Sequence, residues 1–108
     1  MKETLRDEIN EIVESITSSI AVSEIYLFGS HAKGNAREDS DFDFYVVIPN
    51  DSELRELEAS RVIRKGLRDV RKRSIDMFVG KQEKFDRRKD YFYSLEQEVK
   101  DTGVRLYG

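Results

Sequence analysis

Asp41 and Asp43 stand one residue apart at the head of an apolar run that ends at Ile48. Along an extended strand alternate side chains share a face, so both carboxylates project together while Phe42 and Phe44 project oppositely. Two ionised carboxylates side by side repel, and a cation between or near them relieves the repulsion. Mg²⁺ suits such a pair, because it takes one or two carboxylates and completes its shell with water and phosphate oxygens. Upstream, Gly29-Ser30 closes a second apolar stretch, Ile25 to Phe28. Glycine lets a backbone approach closely, and exposed amides beside a serine hydroxyl can hold an anion. Residues 31–40 separate Ser30 from Asp41, giving the pattern G-S-x10-D-x-D. A third carboxylate, Asp76, lies inside the apolar run from Ser74 to Val79, where an unpaired charge would be costly. If that run neighbours the Asp41–Asp43 strand, three carboxylates converge. The chemistry implied is metal-assisted work on a phosphate.

Each part taken singly has a simpler reading. Gly-Ser after a strand also serves as a plain turn. An Asp-x-Asp pair at a strand edge also occurs as a solvated or capping pair. Asp39, Asp41 and Asp43 match the first three ligand positions of an EF-hand loop. That loop needs glycine at its sixth position and glutamate at its twelfth, where this chain has Phe44 and Asn50. The calcium loop fails, and the combined spacing favours the phosphate reading.

The elements that must position these residues follow from periodicity. Leu5, Ile9, Ile12, Val13, Ile16 and Ile20 recur at helical spacing and predict a helix over about residues 3–20. Ile25–Phe28 and Phe42–Ile48 read as strands, the second closed by the turn Pro49-Asn50-Asp51-Ser52. Leu54, Leu57, Val62, Ile63, Leu67 and Val70 predict a helix over roughly 52–72. Ser74–Val79 reads as a third strand ended by Gly80, a further helix falls within about 83–100, and GVRLYG closes as a short strand. The order α-β-β-α-β-α-β predicts an α/β fold, a small sheet with helices packed on it.

Composition sets the outer limits. At 108 residues the chain is expected to be a single domain, 1–108. Hydrophobic and charged residues each make up 38%, which implies a thin core under a heavily charged surface that a partner could cover. The net charge of −3 gives no global case for nucleic-acid binding. With no cysteine, disulfides, thiolate metal sites and cysteine nucleophiles are excluded. The first residues are too acidic for a signal peptide, and no apolar run approaches the roughly 20 residues that span a bilayer. A soluble, cytoplasmic protein is expected.

The stretch LFGSHAKGNAREDSDFDFYVV resembles the minimal nucleotidyltransferases of the DNA polymerase β-like superfamily. The likeness covers Gly29-Ser30, the basic loop with Lys33, Gly34 and Arg37, the Ser40-Asp41-x-Asp43 segment and the later Asp76. His31 departs from it, since arginine is common at that place. The resemblance implies a mixed-sheet nucleotidyltransferase fold and transfer of a nucleoside monophosphate, usually from ATP, to a hydroxyl. It implies that Asp41, Asp43 and Asp76 are the catalytic and metal-binding carboxylates, with two Mg²⁺ ions. Gly29 and Ser30 would hold the departing phosphates, and Lys33 and Arg37 would offset their charge.

Stand-alone members resemble the antitoxin half of two-component systems whose toxin is a HEPN-domain ribonuclease, neutralised by AMP on a tyrosine. Two alternatives stand beside that reading. One is transfer to a small molecule such as an aminoglycoside, which normally needs an added domain for the acceptor pocket. The other is an antitoxin that acts by binding alone, which has no need of intact carboxylates. Two features remain. Arg61, Arg64, Lys65, Arg68, Arg71, Lys72 and Arg73 crowd the second helix, where 61-64-68-71 forms a stripe that is either solvated or a docking face. Tyr91-Phe92-Tyr93 reads as partly core and partly partner surface.

Overall fold

A computed structural model describes residues 3–108, with the side chain of residue 3 left out of the description. Among the described residues five helices and four strands follow one another: α1 (Glu3–Ser19), β1 (Glu24–Phe28), α2 (Ser30–Lys33), β2 (Phe42–Ile48), α3 (Glu56–Leu67), β3 (Ile75–Lys81), α4 (Gln82–Arg88), α5 (Leu95–Thr102) and β4 (Val104–Tyr107). The sheet order is β3-β2-β1-β4. β1 pairs antiparallel with both β2 and β4, whereas β2 and β3 run parallel, joined through α3. The small mixed sheet with packed helices is the fold class that the element order predicts.

β2 is central because both of its faces are covered, and its near-continuous apolar run reflects that. Phe42, Phe44, Val46 and Ile48 are buried against Ile9, Ile12 and Ile16 of α1 and Ala59, Ile63 and Leu67 of α3. Tyr45 and Val47 face the other way, toward Phe85 of α4, Val99 of α5 and Phe28 of β1. Asp43 belongs to this second face, at the end of the sheet where the covering thins. Full burial of each large apolar side chain contributes about 1.5–3 kcal/mol, so β2 is the most firmly held strand.

Two polar clamps fix this frame. Tyr45 Oη donates to Glu96 Oε2 at 2.7 Å, and Arg88 Nε donates to Glu96 Oε1 at 2.9 Å. Burial alone would raise the Glu96 carboxyl, but these two donors outweigh it and hold it below its ordinary value. The network ties α4 and α5 to β2. At the other face Arg73 donates through Nε and Nη2 to both oxygens of buried Glu8, at 2.8 and 2.9 Å. Its Nη1 reaches the carbonyls of Glu38 and Ser40, and its guanidinium lies 4.5 Å from the Phe42 ring centre. Arg73 therefore pins α1, the loop before β2 and the start of β3 to one another.

The elements differ from the expected ones in four places. The helix expected over 52–72 is shorter at both ends, running Glu56–Leu67 and passing into a turn at residues 68–70. Arg73, expected among the cations of that helix, lies beyond it and points inward to Glu8. The helix expected within 83–100 is two helices; the first ends at Arg88, Tyr93 in the connection adopts φ 63°, and the second is capped by Ser94, whose side chain accepts from the Gln97 amide. Residues 30–33, expected as loop, form the single helical turn α2. The Tyr91-Phe92-Tyr93 cluster contributes nothing to the core, all three side chains being exposed.

Candidate active site

Parallel pairing of β2 with β3 sets Asp43 opposite Asp76 in register, so two carboxylates from separate strands share one face. Antiparallel pairing of β1 with β2 sets Phe28 opposite Asp43, which brings the following Gly29 directly onto the Asp43 side chain. A Cβ at position 29 would lie 2.2 Å from Asp43 Oδ2. Gly29 also has φ +74°, a conformation that L side chains rarely adopt. Glycine is required here twice over, by the backbone angle and by the carboxylate beside it.

Ser30 opens α2, and the chain turns at once, with the Lys33 amide donating to the Gly29 carbonyl at 3.1 Å. His31 Nε2 and the Ser40 carbonyl are hydrogen-bonded at 2.9 Å, and the His31 ring packs edge-on to Phe42 at 4.7 Å. His31 thus ties α2 to the segment entering β2. Lys33 and Arg37 are exposed on the connecting loop. Asp41 is exposed just before β2, and Asp76 is exposed on the sheet's outer strand. Phe28 and Phe78 pack ring to ring at 5.8 Å and wall the same face behind the carboxylates.

The electrostatics single out Asp43. Its carboxyl is pushed up to about 6 by burial first, then by the Asp76 carboxyl within hydrogen-bonding reach and by the charges of Asp76, Asp41 and Glu98. Glu98, on α5, is the residue that the sequence reading missed. A charged side chain on an amphipathic helix looks solvated, and only the packing of Val99 beneath α5 brings its neighbour toward Asp43. Among the described residues, no group of three or more histidine, aspartate or glutamate side chains is already gathered around a common point for a cation. Asp43 and Asp76 come together, and Asp41 and Glu98 flank them through charge.

The donor set fits a divalent ion. Oxygen-only, carboxylate-rich and open to solvent on the Asp76 side, it matches Mg²⁺, which keeps waters and accepts phosphate oxygens. A cation would also remove the repulsion that raises Asp43. The sign of the pH effect follows. A carboxyl raised above its ordinary 3.8 contributes stability while protonated, and that contribution is lost as pH rises through about 6. Without divalent ions, Tm is therefore expected to fall between about pH 4 and about pH 6. Mg²⁺ should recover part of that loss at neutral pH, and Asp43→Asn should abolish both the slope and the recovery. Differential scanning fluorimetry across this range checks it; an unaltered slope in the variant would assign the titration elsewhere.

The family model of the nucleotidyltransferase domain matches residues 6–101, nearly the whole chain. The chain belongs to the nucleotidyltransferase domain family. Three solved structures resemble this nucleotidyltransferase. A toxin–antitoxin crystallised with AMP-PNP shares 24% identity at TM-score 0.63, over 92% of this chain and 72% of that one. A candidate nucleotidyltransferase from Sulfolobus solfataricus shares 26% identity at TM-score 0.56, over 81% of each chain. A mutant of the toxin–antitoxin pair MntA–HpeT shares 20% identity at TM-score 0.61, over 92% of this chain and 71% of that one. Among curated proteins none matches the chain. Among the described residues no helix of this nucleotidyltransferase is long and apolar enough to cross a membrane.

Proposed function

We propose that this nucleotidyltransferase moves AMP from ATP to a hydroxyl, the acceptor being a tyrosine of a cognate HEPN-domain toxin. The chain then acts as the antitoxin, in the cytoplasm. The observation that carries the chemistry is the in-register pair Asp43–Asp76 with the Gly29 backbone pressed against it. Support for the nucleotide comes from the AMP-PNP in a related structure, and support for the partner from related toxin–antitoxin assemblies.

Asp41, Asp43 and Asp76 would hold Mg²⁺, which when bound would lower the pKa of the attacking hydroxyl and offset the charge of the departing pyrophosphate. The backbone at Gly29 and the Ser30 hydroxyl receive the β- and γ-phosphates, where only a residue without Cβ permits close approach. Lys33 and Arg37, both exposed, offset the charge that builds on the leaving group. Asp76 stands at the outer strand, on the side from which an acceptor arrives, and takes the hydroxyl proton. The new bond joins the hydroxyl oxygen to the α-phosphorus. The bond that breaks is the one from the α-phosphorus to the bridging oxygen, and pyrophosphate leaves with that electron pair.

The test is intact-mass spectrometry of the cognate toxin after incubation with the nucleotidyltransferase, ATP and Mg²⁺. The expected result is one or more whole adenylyl increments on a tyrosine, with free aminoglycosides unmodified. A toxin neutralised without any mass change would make the chain an antitoxin that acts by binding alone. Modified aminoglycoside would move the acceptor to the small-molecule class.

A further inference from the structure

The outer edge of the sheet carries a groove that the transfer chemistry does not use. α3 packs beside the edge strand β3 and leaves a space of about 250 Å³, lined by Arg64, Leu67, Arg68, Arg71, Ile75 and Met77. Buried Leu67 and Met77 make an apolar floor, and the three arginines rim it. A second hollow continues the rim past Lys72 to Ser74. Ser74 lies two residues before Asp76 along the chain, while Ile75 and Met77 of the groove face α3 and Asp76 faces the other side of the sheet.

The rim is short of counter-charge. Arg73 is committed to Glu8, and Arg64 Nη2 donates to the Met77 carbonyl at 3.3 Å. Among the described residues, no carboxylate forms an ion pair with Arg64, Arg68, Arg71 or Lys72. Four neighbouring cations without acidic partners, in a chain of net charge −3, make a local attractive field for an anion. The strand edge is itself partly engaged. Met77 gives its carbonyl to Arg64, and the Lys81 amide donates to Glu56 at 2.9 Å. An occupant therefore binds through its side chains rather than by adding a strand. A long nucleic acid is disfavoured by the overall negative charge and by a groove with no aromatic ring for a base to stack on. Acidic side chains flanked by apolar ones match guanidinium groups over an apolar floor.

We propose that this groove binds an acidic segment of the protein that supplies the accepting hydroxyl, and so holds that protein against the transferase. The proposal rests on the protein-acceptor reading above. Two labelled probes test it, a random glutamate–tyrosine copolymer and a lysine–tyrosine copolymer. Fluorescence anisotropy without ATP should show binding of the acidic copolymer only, weakening as salt is added. The exposed double variant Arg68→Glu/Arg71→Glu should weaken that binding by about tenfold, and Arg68→Gln/Arg71→Gln by less. Calorimetric binding of Mg·ATP should be unchanged in both variants. With ATP and Mg²⁺ added, the acidic copolymer should gain AMP, and the charge-reversed variant should lose that gain in step with binding. Equal binding by the wild-type and charge-reversed proteins overturns the groove. An RNA oligonucleotide of matched charge that binds more tightly, with the same arginine dependence, overturns the assignment to an acidic protein. Arginine-dependent binding without any AMP transfer upholds the groove and counts against the transferase reading instead.

Discussion

Asp43→Asn is expected to abolish nucleotide transfer while leaving a folded protein that is more stable at neutral pH. Asp43 is the carboxylate on which the others converge. Asp76 pairs with it across the strands, and Asp41 and Glu98 add their charge. An amide there keeps the shape and a hydrogen-bonding partner for Asp76 but removes one charge from any shared cation. Metal charge stabilisation amounts to several kcal/mol in the transition state, so a loss of about a thousandfold or more is expected. Stability should rise because a repelled, half-buried carboxylate is gone. A transfer assay beside a urea melt separates the two effects. Asp76→Asn supplies the contrast: it should lose transfer yet still bind Mg·ATP through Asp41, Asp43 and Ser30. Full activity in Asp43→Asn would sink the carboxylate site, and lost ATP binding in Asp76→Asn would make Asp76 a ligand of the nucleotide as well.

Gly29→Ala should be nearly as damaging, although it adds a single methyl group and changes no charge. That methyl would meet Asp43 Oδ2 at 2.2 Å, and the residue would have to hold φ +74°. Either the backbone turns away from the phosphate position or Asp43 leaves its register with Asp76. Misplacement of about 1 Å costs about a hundredfold in rate, and both kcat and nucleotide affinity should fall. Gly34→Ala is the control. It shares a positive φ of 79° but has nothing within 4 Å of an added Cβ, so it should cost stability with little effect on transfer. Equal activity of the Gly29→Ala and wild-type proteins would remove Gly29 from the phosphate site.

The strands were legible because their signals are local. Phe42–Ile48 is apolar on both faces, which only a central strand covered on both sides explains, and the Asp43–Asp76 register follows from pairing two such runs. The helices were less so. α2 is four residues, Ser30–Lys33, with no apolar repeat to mark it. The break between α4 and α5 was written in Ser94-x-x-Gln97, a capping pattern, but the apolar residues on either side run at helical spacing and mask it. Glu98, Arg73 and Glu96 took their roles from tertiary packing. Arg73 reads as one more surface cation, and nothing near it in sequence announces Glu8, 65 positions away. A charge is assigned to solvent or to a site only once its neighbours are known.

The most direct test of nucleotidyl transfer compares ATP labelled at the α-phosphate with ATP labelled at the γ-phosphate, incubated with the nucleotidyltransferase, Mg²⁺ and the cognate toxin. The account expects α-label on the toxin, γ-label released in pyrophosphate, and neither outcome with Asp43→Asn. Label arriving from the γ-phosphate, or α-label transferred undiminished by Asp43→Asn, would contradict it.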